Sequence, residues 1–291
     1  MADVSIELIK QLRDRTGAGL MDCKGALAAN DCDLDKATDW LREKGLAKAA
    51  KKADRIAAEG LALAVKCGGC GKVVVLEVNC ETDFVAKGDA FRTLVEDVAH
   101  VILKNEPKDV EAAKALTVDL FTDATVKMGE KFDLRRFTII HKEDDNLVGS
   151  YIHMGGKIAV AVSLSGGDDE FAKQIAMHIA ANNPQYATVD DIPADVREHE
   201  LSVQREAAKN DEKLANKPAA VLDKILEGKI NKYFAEMTLE AQPFLMDDTK
   251  TVGQLLKEKG IKLLSFVRYQ VGEGIEKRKD DFASEVMAQA K

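Results

Sequence analysis

One short pattern occurs twice and constrains the architecture more than any other feature. Gly71-Lys72-Val73-Val74-Val75 is echoed by Gly156-Lys157-Ile158-Ala159-Val160. In the first copy, β-rich stretches at Leu61 to Lys66 and Lys72 to Asn79 flank Cys67-Gly68-Gly69-Cys70-Gly71, a hairpin signature. A helix is predicted next, over about Val85 to Leu103. In the second copy, Leu147 to His153 and Lys157 to Leu164 flank Met154-Gly155-Gly156, with a helix from Asp168 to Asn182. Both helices start near an Asp and a Phe, and both carry a late His-apolar pair, His100-Val101 and His178-Ile179. A diverged internal duplication fits, which predicts an α+β fold with two similar halves.

The segments around these blocks are helical. Ser5 can cap a helix carrying Ile6, Leu8, Ile9 and Leu12, and Thr16-Gly17 stops it. Leu20, Cys23, Lys24 and Leu27 make a second helix. Asp33 or Asp35 opens a third, with Leu34, Ala37, Trp40 and Leu41 on one face and Gly45 as its stop. Ala47 to Gly60 reads as a helical linker. Its basic set (Lys44, Lys48, Lys51, Lys52, Arg55) reads first as a solvated face and second as a partner contact. Another helical stretch is predicted over about Val110 to Met128, then a strand at Arg136 to His141. Later, Val196, Val203, Ala207 and Leu214 form one apolar stripe. Asn216-Lys217-Pro218 turns the chain, and Leu222, Ile225, Leu226, Ile230, Tyr233 and Phe234 return it. That is an antiparallel helical hairpin, an arm by its charge. A strand at Leu263 to Val271 and a helix at Ile275 to Ala290 close the chain.

Composition narrows the function. The 291 residues carry a net charge of −8, against broad binding to nucleic acid or to an anionic membrane. No apolar run approaches the ~18 residues of a membrane span. The N-terminus lacks a basic segment followed by an apolar one, and five scattered cysteines make no disulfide framework. A reducing cytoplasm is the expected location.

No catalytic spacing is present. Lys72, Lys157 and Lys229 each follow a Gly but lack the rest of a phosphate-binding loop, and His199-Glu200 lacks a second His. No nucleophile elbow occurs. The chain is expected not to be an enzyme and to hold no cofactor. Cys67 and Cys70, with Cys80 as a third ligand, offer a zinc or thiol-redox alternative, but a plain glycine-rich hairpin explains them and no metal is expected. His100 and His178 read as core histidines, whereas His153 sits at a hairpin tip. In Asn79-Cys80-Glu81-Thr82-Asp83-Phe84-Val85, Thr82 or Asp83 can cap the next helix. Phe84 then either packs back as a staple or stands exposed beside an acid, ready to insert into a partner.

Several segments together resemble the bacterial translation elongation factor Ts family. Leu12-Arg13, Thr16-Gly17-Ala18-Gly19, Met21-Asp22-Cys23-Lys24, Ala26-Leu27, Ala37, Trp40-Leu41-Arg42 and Lys44-Gly45 carry it at the N-terminus. Asn79 to Val85, Ile175-Ala176-Met177-His178, Gln242-Pro243-Phe244, Lys250 to Leu256 and Val271 to Lys277 follow in order. The resemblance implies a guanine-nucleotide exchange factor for elongation factor Tu, GDP-bound and nucleotide-free. It implies a ubiquitin-associated-like N-terminal domain at 1–54 and core halves at 55–145 and 146–270. A helical-hairpin insertion at about 190–238 and a C-terminal helical module at 271–291 complete the expected division. By the same resemblance, Thr82, Asp83, Phe84, Val85 and His153 form the exchange contact. Leu12, Arg13, Thr16, Gly17 and Met21 form the N-terminal contact. Phe84 would wedge between helices of the partner's GTP-binding domain and disturb its Mg²⁺ and phosphate site. Direct nucleic-acid or membrane contact is not implied. A homodimer or a 2:2 complex is compatible with the family. An adaptor or chaperone that binds without accelerating GDP release is the competing class.

Overall fold

A computed structural model describes residues 4–69, 71–143, 146–210 and 218–276. The predicted C-terminal helix from Ile275 falls almost wholly outside these residues, as do Cys70, Leu214 and the Asn216-Lys217 turn. The chain is α+β and divides into two compact units. The first holds residues 1–139, 154–159 and 269–291, and the second 140–153 and 160–268.

In the first unit, α1 (Ile6–Thr16), α2 (Leu20–Ala29) and α3 (Leu34–Lys51) pack around Leu12, Cys23, Leu27, Ala37 and Leu41. Ser5 caps α1 through the Leu8 amide, and Gly17 ends it at φ 68°. The Asp33 carboxylate accepts from the Asp35 and Lys36 amides and starts α3. Gly45 does not stop α3, contrary to expectation. It is buried, and a Cβ there would lie well inside contact distance of Val126 Cγ2, on α6 (Val110–Met128). The glycine serves close helix approach, not termination. The linker also departs from expectation, because α3 ends at Lys51 and β1 (Glu59–Lys66) begins eight residues later. Its basic set is largely spent internally: Lys44 and Lys48 pair with Asp22, Lys52 donates to the Gly129 carbonyl, and Arg55 pairs with Glu81.

β1 pairs antiparallel with β2 (Val73–Cys80), from Glu59 opposite Cys80 to Lys66 opposite Val73. β3 (Asp133–Ile140) completes a sheet of order β1-β2-β3. β2 is buried along its whole length, and α5 (Asp89–Asn105) covers the sheet with Phe91, Val95, Val98 and Ile102. The predicted helix from Val85 is broken at Lys87-Gly88, leaving a four-residue α4 (Asp83–Ala86) before α5. His100 is exposed on α5, so the expectation of a core histidine fails there.

A second sheet has the order β4-β5-β8, with β4 at Leu147–His153, β5 at Ile158–Leu164 and β8 at Leu263–Gln270. In the second unit α7 (Asp169–Asn182) lies against β4. Gly149 permits this, since a Cβ there would stand 2.6 Å from the Ala172 Cβ. His178 is the buried histidine expected. The Leu245 amide donates to its Nδ1 at 3.1 Å, which leaves Nε2 protonated to donate to Gln242 Oε1 at 2.9 Å. Helices α8 (Ala194–Lys209) and α9 (Ala219–Met237) meet through Ala208 and Leu226. The apolar stripe differs from the sequence reading: Ala208 is buried, while Val203 and Ala207 are exposed. A short β6–β7 hairpin (Pro243–Phe244, Asp247–Thr251) and α10 (Val252–Glu258) were not anticipated. Among the described residues, no helix is long and apolar enough to cross a membrane.

Candidate functional site

The Thr82-Asp83-Phe84-Val85 segment forms a tip between the end of β2 and the start of α5. Thr82 caps α4, its hydroxyl oxygen accepting from the Val85 amide at 3.4 Å. Behind it, Glu130 holds the loop from a position 48 residues away. Its Oε1 accepts the Thr82 hydroxyl at 2.5 Å, and its Oε2 accepts the Glu81 and Thr82 amides at 3.0 and 3.1 Å. Glu81 in turn accepts from the Lys131 amide at 2.7 Å and pairs with Arg55. Sequence reasoning missed Glu130; its only local signal is that it follows the Gly129 cap of α6.

On this pinned loop the side chains divide by role. Val85 is half-buried against the first core, and Ala86 is buried. Phe84 is 84% exposed. The staple alternative is thereby set aside, because Val85 supplies the packing. The Asp83 carboxylate accepts from Lys87 one turn on, with Nζ 2.6 Å from Oδ2. That hydrogen bond holds the carboxyl below the usual carboxylate range, with the Lys157 charge adding to it. Lys157 itself pairs with Glu59 at 2.7 Å.

The turn that precedes Lys157 belongs to the same unit. The Gly156 carbonyl accepts from the Ala62 amide at 2.7 Å, and Arg92 of α5 donates to the Gly155 carbonyl at 3.1 Å. His153 ends β4 half-buried, its Nδ1 3.3 Å from the Tyr151 hydroxyl and the rings tilted at 5.8 Å.

The N-terminal candidates are not all available for contact. Leu12 is fully buried in the three-helix core, so its expected contact role is corrected to a packing role. Thr16 is half-buried, its hydroxyl donating to the Leu12 carbonyl and accepting from the Ala18 amide. Gly17 supplies the left-handed cap. Arg13 and Met21 are exposed, Met21 at 78%.

Cys80 is not placed for metal or redox chemistry. It is buried, its thiol donates to the Thr82 carbonyl at 3.2 Å, and burial pushes its pKa up to about 12. Cys67 is disulfide-bonded, whereas Cys23, Cys32 and Cys80 are free. Sparse cysteines argue against a disulfide framework, and a bond at Cys67 with three free cysteines beside it is no framework.

Within the first unit, a second cluster ties Tyr269 and Gly272 to the first sheet. Glu77 of β2 is fully buried, yet it accepts from Arg135 at 3.0 Å, Arg136 at 2.7 Å and the Gly272 amide at 2.8 Å. Arg136 also lies over the Tyr269 ring, 4.3 Å from its centroid. Gly272, at φ 72°, presses against the Ala58 carbonyl where no Cβ would fit.

Comparison with known proteins places these features in a family. The model of the family described as Elongation factor TS matches residues 81–273. The elongation factor Ts of Limosilactobacillus reuteri (strain DSM 20016) is 46% identical over 295 residues, covering 99% of each chain. That of Pediococcus pentosaceus (strain ATCC 25745) is 47% identical over 292 residues, covering 98% of each.

Proposed function

The chain belongs to the elongation factor Ts family, and from that premise we propose that it is a guanine-nucleotide exchange factor for elongation factor Tu, working in the cytoplasm during translation elongation. One observation carries the reading: Phe84 is 84% exposed on a four-residue helix whose ends are fixed. An exposed aromatic gains nothing in the free protein and gains most when a partner buries it. Glu130 and the Thr82 cap hold the backbone in place, so little freedom is lost on binding.

In this reading Phe84 enters between helices of the partner's GTP-binding domain, and Asp83 accompanies it. The insertion displaces the elements that hold Mg²⁺ and the phosphates, and GDP leaves. No covalent bond is made or broken by this chain. Linkage sets the requirement: if the protein binds nucleotide-free partner more tightly than GDP-bound partner, GDP weakens its binding by the same factor. Each ~1.4 kcal/mol of such coupling is tenfold in GDP affinity. A buried Phe supplies about 2 kcal/mol or more, so His153 and the N-terminal helices share the task. Helices α1–α3 are read as a ubiquitin-associated-type unit that touches the same domain through exposed Arg13 and Met21, while Thr16 and Gly17 shape the turn between them. Helices α8 and α9 are read as an inserted arm, and the two sheet-and-helix halves as diverged copies.

Stopped-flow release of a fluorescent GDP analogue from elongation factor Tu tests the proposal. Acceleration that rises with the concentration of this protein supports it. Binding without acceleration makes the protein an adaptor and overturns the exchange reading.

A further inference from the structure

Met154 opens the turn between β4 and β5 and is 71% exposed. Its φ is 50°, in the left-handed region, followed by Gly155 at 67° and Gly156 at 108°. Glycine occupies this region without steric cost, whereas an L side chain is crowded there. At the next two positions the turn uses glycine. At the first it keeps a large apolar side chain that is both crowded and solvated. The other non-glycine residues found at positive φ among the described residues have local duties. Glu106 and Asn183 cap helices, and Asp31-Cys32 close the turn before α3. A glycine at 154 would serve the turn equally well, so the Met side chain answers to something outside the turn.

The surroundings point to what that is. Arg92, in the first turn of α5, donates to the Gly155 carbonyl, and the Ala62 amide of β1 donates to the Gly156 carbonyl. A Cβ on Gly156 would lie 2.7 Å from Leu61 Cδ2, so the turn sits tightly on β1. Lys157 is fixed to Glu59, and its charge is felt at Asp83. Thus the turn is clamped to β1 and α5, and only Lys87-Gly88 separates α5 from the helix that carries Phe84. Two exposed apolar side chains, each on a rigid mount, stand on connected elements of one unit.

We propose that Met154 is a second apolar contact of the exchange face, entering a depression on the partner's GTP-binding domain beside the one that receives Phe84, with Arg92 as its positioning residue. The inference rests on the exchange-factor reading. Methionine suits the task, since its flexible thioether adapts to an irregular apolar surface.

The test compares Met154→Gly, Met154→Leu and wild type in GDP release from elongation factor Tu, with thermal unfolding of each. Met154→Gly relieves the crowded backbone, so its unfolding temperature should stay within about 3 °C of wild type. Its kcat/KM for release should fall about tenfold, the loss expected of one apolar anchor. Met154→Leu should keep activity within about threefold of wild type, as a volume-conserving apolar swap. Wild-type exchange by Met154→Gly overturns the proposal. So does an activity loss that tracks a drop in unfolding temperature, because the turn would then be structural. Failure of the wild-type protein itself to accelerate release overturns the exchange-factor reading, and the proposal with it.

Discussion

The Thr82 hydroxyl donates to Glu130 Oε1 at 2.5 Å, although the two residues are 48 positions apart. With both amides of Glu81 and Thr82 on Oε2, one carboxylate fixes the loop that presents Phe84. Glu130→Ala is therefore expected to reduce GDP release about tenfold while costing only about 1 kcal/mol of stability, since these hydrogen bonds are largely exposed. Release kinetics and urea unfolding of the same variant check the two halves of that statement.

Gly45 gives a prediction on stability alone. Its Cβ position is already occupied by Val126, so Gly45→Ala forces α3 away from α6. Ordinary helix propensity would favour alanine by about 1 kcal/mol. Overpacking of this kind costs about 1–3 kcal/mol, so the net effect should be destabilising. A rise in unfolding free energy would show that the helices separate freely.

Glu77 anchors two arginines and a backbone amide while fully buried. Removing it in Glu77→Ala leaves two guanidinium groups facing a void. Because these are each about a quarter exposed, the loss should be about 2–3 kcal/mol, below the range for a fully buried pair. Urea unfolding measures it directly. A neutral effect would mean that water replaces the carboxylate at no cost.

His178 makes stability depend on pH. Burial lowers its pKa below the ordinary histidine value, opposed by the Gln242 hydrogen bond. The unfolded chain therefore takes up a proton first as pH falls. The contribution of neutral His178 is fully present above about pH 6.5 and is lost progressively below it, by at most about 1.4 kcal/mol per pH unit. Unfolding free energies at pH 7.5 and 5.5 should differ accordingly, and His178→Asn should flatten the difference. An unchanged slope in the variant would assign the pH effect to other groups.

Local signals were the legible part. Ser5, Gly17, Asp33 and Asp168 mark helix ends because caps act within four residues of their targets. The β1–β2 hairpin was readable from its two apolar runs. Gly45 misled because a glycine that permits close helix contact looks, in sequence, like one that ends a helix. The break at Gly88, which frees Phe84, was hidden by continuous apolar periodicity from Val85 onward. Thr251 and Gln254 form a capping box for α10 and were a signal available but unused. Glu130, Arg92 and Lys157 bond to Thr82, Gly155 and Glu59 across 48, 63 and 98 positions, distances at which sequence pattern carries no information. Motif resemblance found the tip; only coordinates show what holds it.

Phe84→Ala tests the central claim most directly. Release of GDP from elongation factor Tu should be slowed about thirtyfold or more in kcat/KM, the loss of a buried aromatic anchor. Because Phe84 is 84% exposed in the free protein, its unfolding temperature should move by no more than about 2 °C. A folded Phe84→Ala protein that accelerates GDP release as well as wild type would contradict the account.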